Sequence, residues 1–424
     1  MRRFGHIFVQ VRDFHALRRA ARRALRGTRL GADSAAFLVD LEPQVLALQR
    51  ELDAGTYRPG PYRTFRIRDP KPRTISAAPF RDRVVHHALC AALEPVFERY
   101  ASDHSYACRR GRGTRAALVR TCALARRSAY FLKLDVEHCF ESIDHALLDT
   151  QLCSLVKDQR VLALTRSFIE AGAPGSPPGK GLPIGNLTSQ HFANLHLGKI
   201  DHLVHGTLQM GDWCRYMDDM LLFADDRGRL LDAWRRIDDF VAARMALRLR
   251  ADACAIGRVA DGVPFLGFRI WPGTVRLDRP RRLRLGRRLH RLLRAGRDGH
   301  LSAEALLPAL EATIAWARIA DATGLLRSLM QRLERDGLIA PPQPAGVDLA
   351  LNRRRSPAAE SEPPARPSSR DLETGAASPS GLPARPGASA LRSHRMAARR
   401  RLGDDGHNLC PDAASLETAH RAPP

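Results

Sequence analysis

The sequence predicts a mixed α/β (α+β) fold, and three observations carry that expectation. Two short apolar runs, Tyr130-Phe131-Leu132-Lys133-Leu134 and Met220-Leu221-Leu222-Phe223-Ala224, have the length and composition of buried strands, and each abuts a carboxylate. Segments with apolar residues at helical spacing fill most of the chain around them. Beyond Ala340 the composition shifts to Pro, Ala, Ser, Gly and Arg with few large apolar residues, so a tail over 341–424 is expected to form no core and to be disordered.

In chain order, Phe14 to Arg26 reads as a helix whose remaining surface carries Arg18, Arg19, Arg22, Arg23 and Arg26. Ala35 to Leu52 reads as a second helix, stopped at Gly55. Tyr62 to Arg68 and Arg73 to Ala77 alternate like two strands around a basic tip, Asp69-Pro70-Lys71-Pro72. Helices over Arg81 to Tyr100 and Gly113 to Arg126 lead to the strand ending at Asp135. Helices follow near His145 to Val156 and Gln159 to Ala171, then a Gly/Pro loop from Gly172 to Gly181. Next come a helix over Asn186 to His205, a hairpin around Tyr216, a helix over Arg229 to Ala246, and short strands through Ile256 and Val263 to Ile270. From Arg279 to about Gly337 the pattern is helical and strongly basic.

The 424 residues can bury a sizeable core, and a formal net charge of +23 points to a polyanionic partner. The eight cysteines are scattered singly, without Cys-x-x-Cys, which suits a reducing cytoplasm and argues against structural zinc. No apolar run approaches the ~20 residues that span a bilayer, and the Arg-rich opening does not read as a signal peptide. The expected location is cytoplasmic, with no membrane partner.

Chemistry concentrates in Arg215-Tyr216-Met217-Asp218-Asp219-Met220. Adjacent carboxylates at a tight turn are costly unless a cation neutralises them. With Asp135 at the end of the upstream strand, three acids at the ends of two strands have the donor set for two Mg²⁺ ions, the arrangement that joins a hydroxyl to a nucleoside triphosphate.

Tyr-Met-Asp-Asp at Tyr216 to Asp219, and Asp135 followed by Phe140, resemble two signature blocks of reverse transcriptases. A third block, Gly181-Leu182-Pro183-Ile184-Gly185-Asn186-Leu187-Thr188-Ser189-Gln190, resembles the diversity-generating retroelement enzymes, whereas most reverse transcriptases have Gln-Gly and Ser-Pro at these places. The resemblance runs from about Phe14 to Phe265-Leu266-Gly267-Phe268. It implies a right-hand polymerase, with fingers and palm over 1–272, a small helical thumb over 273–340, and RNA-directed DNA synthesis from dNTPs. For the diversity-generating group it further implies an error-prone copy of a template repeat RNA and a small basic accessory protein. A group II intron-type or other bacterial reverse transcriptase is the alternative enzyme, and a polymerase-derived RNA-binding scaffold the alternative without activity.

By the same resemblance Asp135, Asp218 and Asp219 would be catalytic and hold the two Mg²⁺ ions with the main-chain carbonyl of Val136. Phe140 would stand against the sugar C2′ as a steric gate. Arg73 would contact the α-phosphate, with Arg66 or Arg68 supplying a second contact that spacing alone does not separate. Ile184, Gly185, Ser189 and Gln190 would lie under the templating base and incoming nucleotide. An apolar Ile184 offers fewer fixed hydrogen bonds than Gln, hence weaker rejection of wrong pairs. Arg18 and Arg22 on the first helix, Tyr216 and Met217 at the hairpin, and Arg284 and Arg288 on the thumb would face template RNA and cDNA. His86 and His87 are expected to be structural or template-side. Where relatives carry a Lys near Ala253 to protonate pyrophosphate, this chain has none; Arg250 or Arg258 would compensate only electrostatically, because Arg holds its proton too tightly.

Overall fold

The computed structural model describes residues 3–26, 30–68, 72–315 and 317–338. The hairpin tip at Asp69-Pro70-Lys71 and the tail over 341–424 lie outside the described residues. Three antiparallel sheets are set among helices, the mixed architecture expected from the sequence.

Strands β1 (Arg63–Arg68) and β2 (Pro72–Ala77) pair as a hairpin in the register Ile67↔Arg73 and Phe65↔Ile75. Before it, helices Phe8–Arg12, Phe14–Ala24 and Ala32–Val39 pack against the long helix Phe80–Tyr100, and Leu41–Ala54 packs against those three. The Asp13 carboxylate caps Phe14–Ala24 by accepting from the Ala16 amide at 2.7 Å. The single helix expected over Ala35 to Leu52 is two, broken at Asp40 (φ −109°, ψ 40°). Pro43 is the reason. It has no N–H to donate to the carbonyl four residues back, and its ring would clash there, so Pro43 fits only in the first turn of a new helix.

The central sheet has the order β4–β5–β3–β6, where β3 is Tyr130–Leu134, β4 Trp213–Tyr216, β5 Asp219–Ala224 and β6 Ala255–Arg258. Leu132, Leu134, Leu221, Leu222 and Trp213 are almost wholly buried. Each such side chain withdrawn from water contributes about 1.5–3 kcal/mol. Helices Arg227–Met245 and Leu187–His202 belong to the same hydrophobic core through Ile237, Val241, Leu197 and Ile200. A five-residue π turn, Leu203–Thr207, extends the latter helix.

The short strands expected through Val263 to Ile270 form a hairpin. β7 (Val263–Phe265) and β8 (Phe268–Trp271) are joined by Leu266 and Gly267, both at positive φ (49° and 74°), the two-residue turn that matches strand twist. β9 (Thr274–Leu277) completes this sheet, so regular helix begins only at Arg279. Helices Arg279–Arg297, Ala303–Ala315 and Thr323–Arg335 then enclose a small core of their own around Leu285, Leu289, Ala317 and Leu333.

Candidate active site

Strand β3 runs between β5 and β6, and its end delivers Asp135. The pair Leu134↔Met220 is the last of the β3–β5 ladder, so Asp135 continues the register alongside Asp219. Pairing of Tyr216 with Asp219 leaves Met217 and Asp218 as a two-residue turn, with Met217 at φ +56°. That value suits a hairpin turn, at a cost of roughly 1–2 kcal/mol for a residue with a Cβ. On its other side β3 is prolonged by residues 248–250: the Glu137 amide donates to the Arg248 carbonyl at 2.8 Å and the Arg250 amide to the Asp135 carbonyl at 2.9 Å. Val136 bridges Leu249 and is buried. Three carboxylates thus gather at one end of the sheet.

Their electrostatics show an excess of negative charge. Burial and the neighbouring Asp135 push the Asp218 carboxyl up, only partly offset by Arg73 and Arg250, and Asp218 has no salt-bridge partner among the described residues. Burial raises Asp219 to about 6; Lys133 opposes this, while Asp218 and Asp135 add to it. Two cations already lie on the cluster. Arg250 Nη2 is 2.9 Å from Asp135 Oδ2, and Lys133 Nζ is 3.3 Å from Asp219 Oδ1. Asp219 Oδ1 is nonetheless buried without a hydrogen bond. Three crowded acids, one of them with a buried oxygen that accepts no hydrogen bond, are a donor set suited to Mg²⁺, which takes oxygen ligands and keeps several waters. Among the described residues no three such groups form a ready-made metal cage.

A carboxyl whose folded pKa is raised contributes most when protonated, and that contribution is lost as pH rises from the ordinary 3.8 through about 6 for Asp219. With EDTA present, the contribution of these carboxyls to the melting temperature should therefore fall from pH 4.5 to 7, and Mg²⁺ at pH 7 should restore it. Thermal melts across that range, with Asp219→Asn as the reference that lacks the titration, measure the effect.

Comparison with known proteins defines the domain built around this site. Residues 67–270 match the family model "Reverse transcriptase (RNA-dependent DNA polymerase)". The chain carries a reverse transcriptase domain. The catalytic class of that family is RNA-directed DNA polymerase. Protein YkfC of Escherichia coli is 26% identical over 57% of this chain and 74% of its own length. The group II intron-encoded protein LtrA of Lactococcus lactis is 27% identical over 38% of this chain, which spans only 28% of LtrA. A solved structure of telomerase from Candida albicans, in complex with a telomeric RNA fragment, has a TM-score of 0.41 at 12% identity, covering 66% of this chain and 55% of that one.

Within the reverse transcriptase domain, the β1–β2 hairpin meets the Ile184–Gly185 loop directly. The Ser76 amide donates to the Ile184 carbonyl at 2.7 Å. Gly185 takes φ +113°, and a Cβ there would lie 2.8 Å from the Ile75 side chain, so glycine permits the approach. Arg73 shares a hairpin face with Ile67 and Ile75 and acts electrostatically on Asp218. Arg66 and Arg68 both lie on the opposite face with Thr74 and are exposed, so the structure does not group either of them with Arg73. Phe140 is half-buried beside the same loop, its carbonyl accepting from the Leu182 amide at 2.7 Å. Ser189 is buried, and the Gln190 carboxamide oxygen is 3.8 Å from Cys108 Sγ.

The compensating arginines separate cleanly. Arg250 is at the carboxylates, whereas Arg258 opposes Tyr130 at the far end of β3 and pairs with Asp261 at 3.2 Å. His86 is buried, lowered to about 3 by burial, and shares a hydrogen bond of 3.1 Å with Thr188; it is neutral at physiological pH. Tyr216 and Met217 are 9% exposed. Arg18 and Arg284 are half-buried, and Arg22 and Arg288 exposed, all away from the carboxylates in sequence and on other elements. No helix among the described residues is long and apolar enough to cross a membrane.

Sequence reasoning missed Lys133 and Arg215. Lys133 was detectable: two residues before Asp135 on a strand, it projects from the same face. Arg215 gave no such signal, because its partners come from distant segments.

Proposed function

We propose that this chain copies an RNA template into cDNA from dNTPs and that it does so with low fidelity, as the polymerase of a diversity-generating retroelement. The polymerase reading rests on one observation, the three crowded carboxylates at the end of β3 and the β4–β5 turn. Two Mg²⁺ ions held there by Asp135, Asp218, Asp219 and the Val136 carbonyl would activate the attacking primer hydroxyl and neutralise charge on the triphosphate. Arg73, facing the cluster from the hairpin, would pair with phosphate oxygens through its planar fork. Phe140 would exclude a 2′-hydroxyl. Arg18, Arg22, Arg284 and Arg288 would contribute sequence-tolerant, salt-dependent contacts to the nucleic-acid backbone.

The retroelement refinement rests on Ile184-Gly185 and Ser189-Gln190. An isoleucine beside the nucleotide offers no hydrogen bond for a mismatch to break, so Ile184→Gln should lower misincorporation. One such bond is worth about 1 kcal/mol, which limits the change to roughly tenfold. Sequencing cDNA made by both proteins on one RNA, with adenine positions tallied separately, tests it; equal error spectra would reject this account. A nearby pair of near-identical DNA repeats differing mainly at adenines would support the retroelement role, which further implies a small basic accessory protein. The similarity to LtrA favours a second reading, a group II intron-like reverse transcriptase. That reading expects faithful cDNA and no repeat pair.

A further inference from the structure

Arg215 is one of the largest side chains in the protein to be fully buried. Its Nε and Nη2 each donate to the Asp201 carboxylate at 2.6 Å. Nη1 donates to Asn194 Oδ1 at 2.7 Å and to the Met217 carbonyl at 3.0 Å, and Nη2 also donates to Ser105 Oγ at 3.1 Å. The backbone is held too: the Arg215 amide donates to the His104 carbonyl and its own carbonyl accepts from the Tyr106 amide, both at 2.9 Å.

Stability alone does not account for this arrangement. Withdrawing two charges from water costs several kcal/mol per ion, and apolar residues of similar volume commonly fill such a site as well or better. What the guanidinium supplies is direction. With one edge fixed on Asp201, Nη1 has a single orientation, and it ends on the carbonyl of Met217, the left-handed residue immediately before Asp218. Asn194, which shares Nη1, lies one helical turn beyond Gln190 on the Leu187–His202 helix. One buried cation therefore joins the helix that carries Gln190 to the turn that carries Asp218.

We propose that Arg215, clamped by Asp201, is a positioning residue that fixes the Met217–Asp218 turn and with it the aim of the Asp218 carboxylate. The proposal rests on the polymerase reading for its kinetic consequence, though not for its geometry. In its absence the strained turn has other conformations open to it, and Asp218 loses a single orientation toward Asp135.

The test replaces the pair without stranding a charge, as Arg215→Met with Asp201→Leu. We expect this variant to melt near the wild-type temperature and to bind RNA equally. Its kcat for primer extension should fall by about tenfold or more with KM for dNTP changed by less than about twofold, because misalignment acts on the transition state and not on ground-state binding. Mn²⁺ affinity measured without nucleotide should weaken, and the Asp219 amide should exchange its hydrogen faster. A folded double variant with wild-type kcat and Mn²⁺ affinity would overturn the proposal. Should the double variant not fold, Arg215→Lys carries the same test, since lysine keeps the charge against Asp201 but lacks the fork. Reduced kcat and Mn²⁺ affinity there support positioning, and wild-type values overturn it. Were wild type itself unable to extend a primer, the polymerase reading would fall, while Mn²⁺ affinity and Asp219 exchange would still decide the role of Arg215.

Discussion

Asp218→Asn and Asp135→Asn should each reduce dNTP incorporation on a primed RNA by on the order of 10³-fold, because charge stabilisation at a metal site is worth several kcal/mol. RNA affinity should hardly change, since the arginines of Phe14–Ala24 and Arg279–Arg297 are untouched. Asp218→Asn should also raise the melting temperature in EDTA, for burial and Asp135 both disfavour its charge and it has no cation of its own among the described residues. An inactive variant that is more stable would separate catalysis from folding. Primer extension, gel shift and melting on one preparation decide the matter. Substantial extension by either variant would refute the assignment of the carboxylates.

Replacement of Phe140 should have the next largest effect. Its carbonyl accepts from the Leu182 amide and its side chain is half-buried against the core, and under the proposed reading the ring would stand against the sugar C2′. Forcing an extra atom into a packed contact costs roughly 1–3 kcal/mol. Phe140→Val should therefore raise ribonucleotide incorporation relative to deoxyribonucleotide by about 10- to 100-fold, with dNTP turnover changed far less. Single-nucleotide incorporation with matched dNTP and rNTP measures the ratio. Unchanged discrimination would assign Phe140 to the core alone.

Much of this architecture was legible in the sequence because its signals are local. Apolar runs marked β3 and β5, the Asp218–Asp219 pair marked the turn between apolar strands, and a Gly/Pro loop marked the connection that meets Phe140. What escaped was either a local exception or a long-range contact. Pro43 splits a helix whose periodicity is otherwise continuous, and Leu266-Gly267 reverses a chain whose composition says strand on both sides. The face occupied by Arg73 and not by Arg66 or Arg68 depends on hairpin register, which spacing alone left open. Arg250 and Arg258 look equivalent in sequence, yet β3 separates them by its own length. Buried Arg215 is the extreme case. Flanking an apolar strand, it reads as a solvated end, and only the folded chain brings Asp201, Asn194 and Ser105 to it.

The central place of β3 sets the order in which the enzyme can be made. Both of its neighbours, β5 and β6, come later in the chain, so when Tyr130–Leu134 leaves the ribosome it has no partner on either edge. At roughly 5–20 residues per second the wait lasts several seconds. During it an apolar strand with two open edges is available to other chains. A nascent chain is thus unable to bring Asp135 beside Asp218 and Asp219 until Asp219–Ala224 has been synthesised, and β3 keeps one open edge until Ala255–Arg258 follows, so truncation between those two strands should yield aggregation-prone fragments.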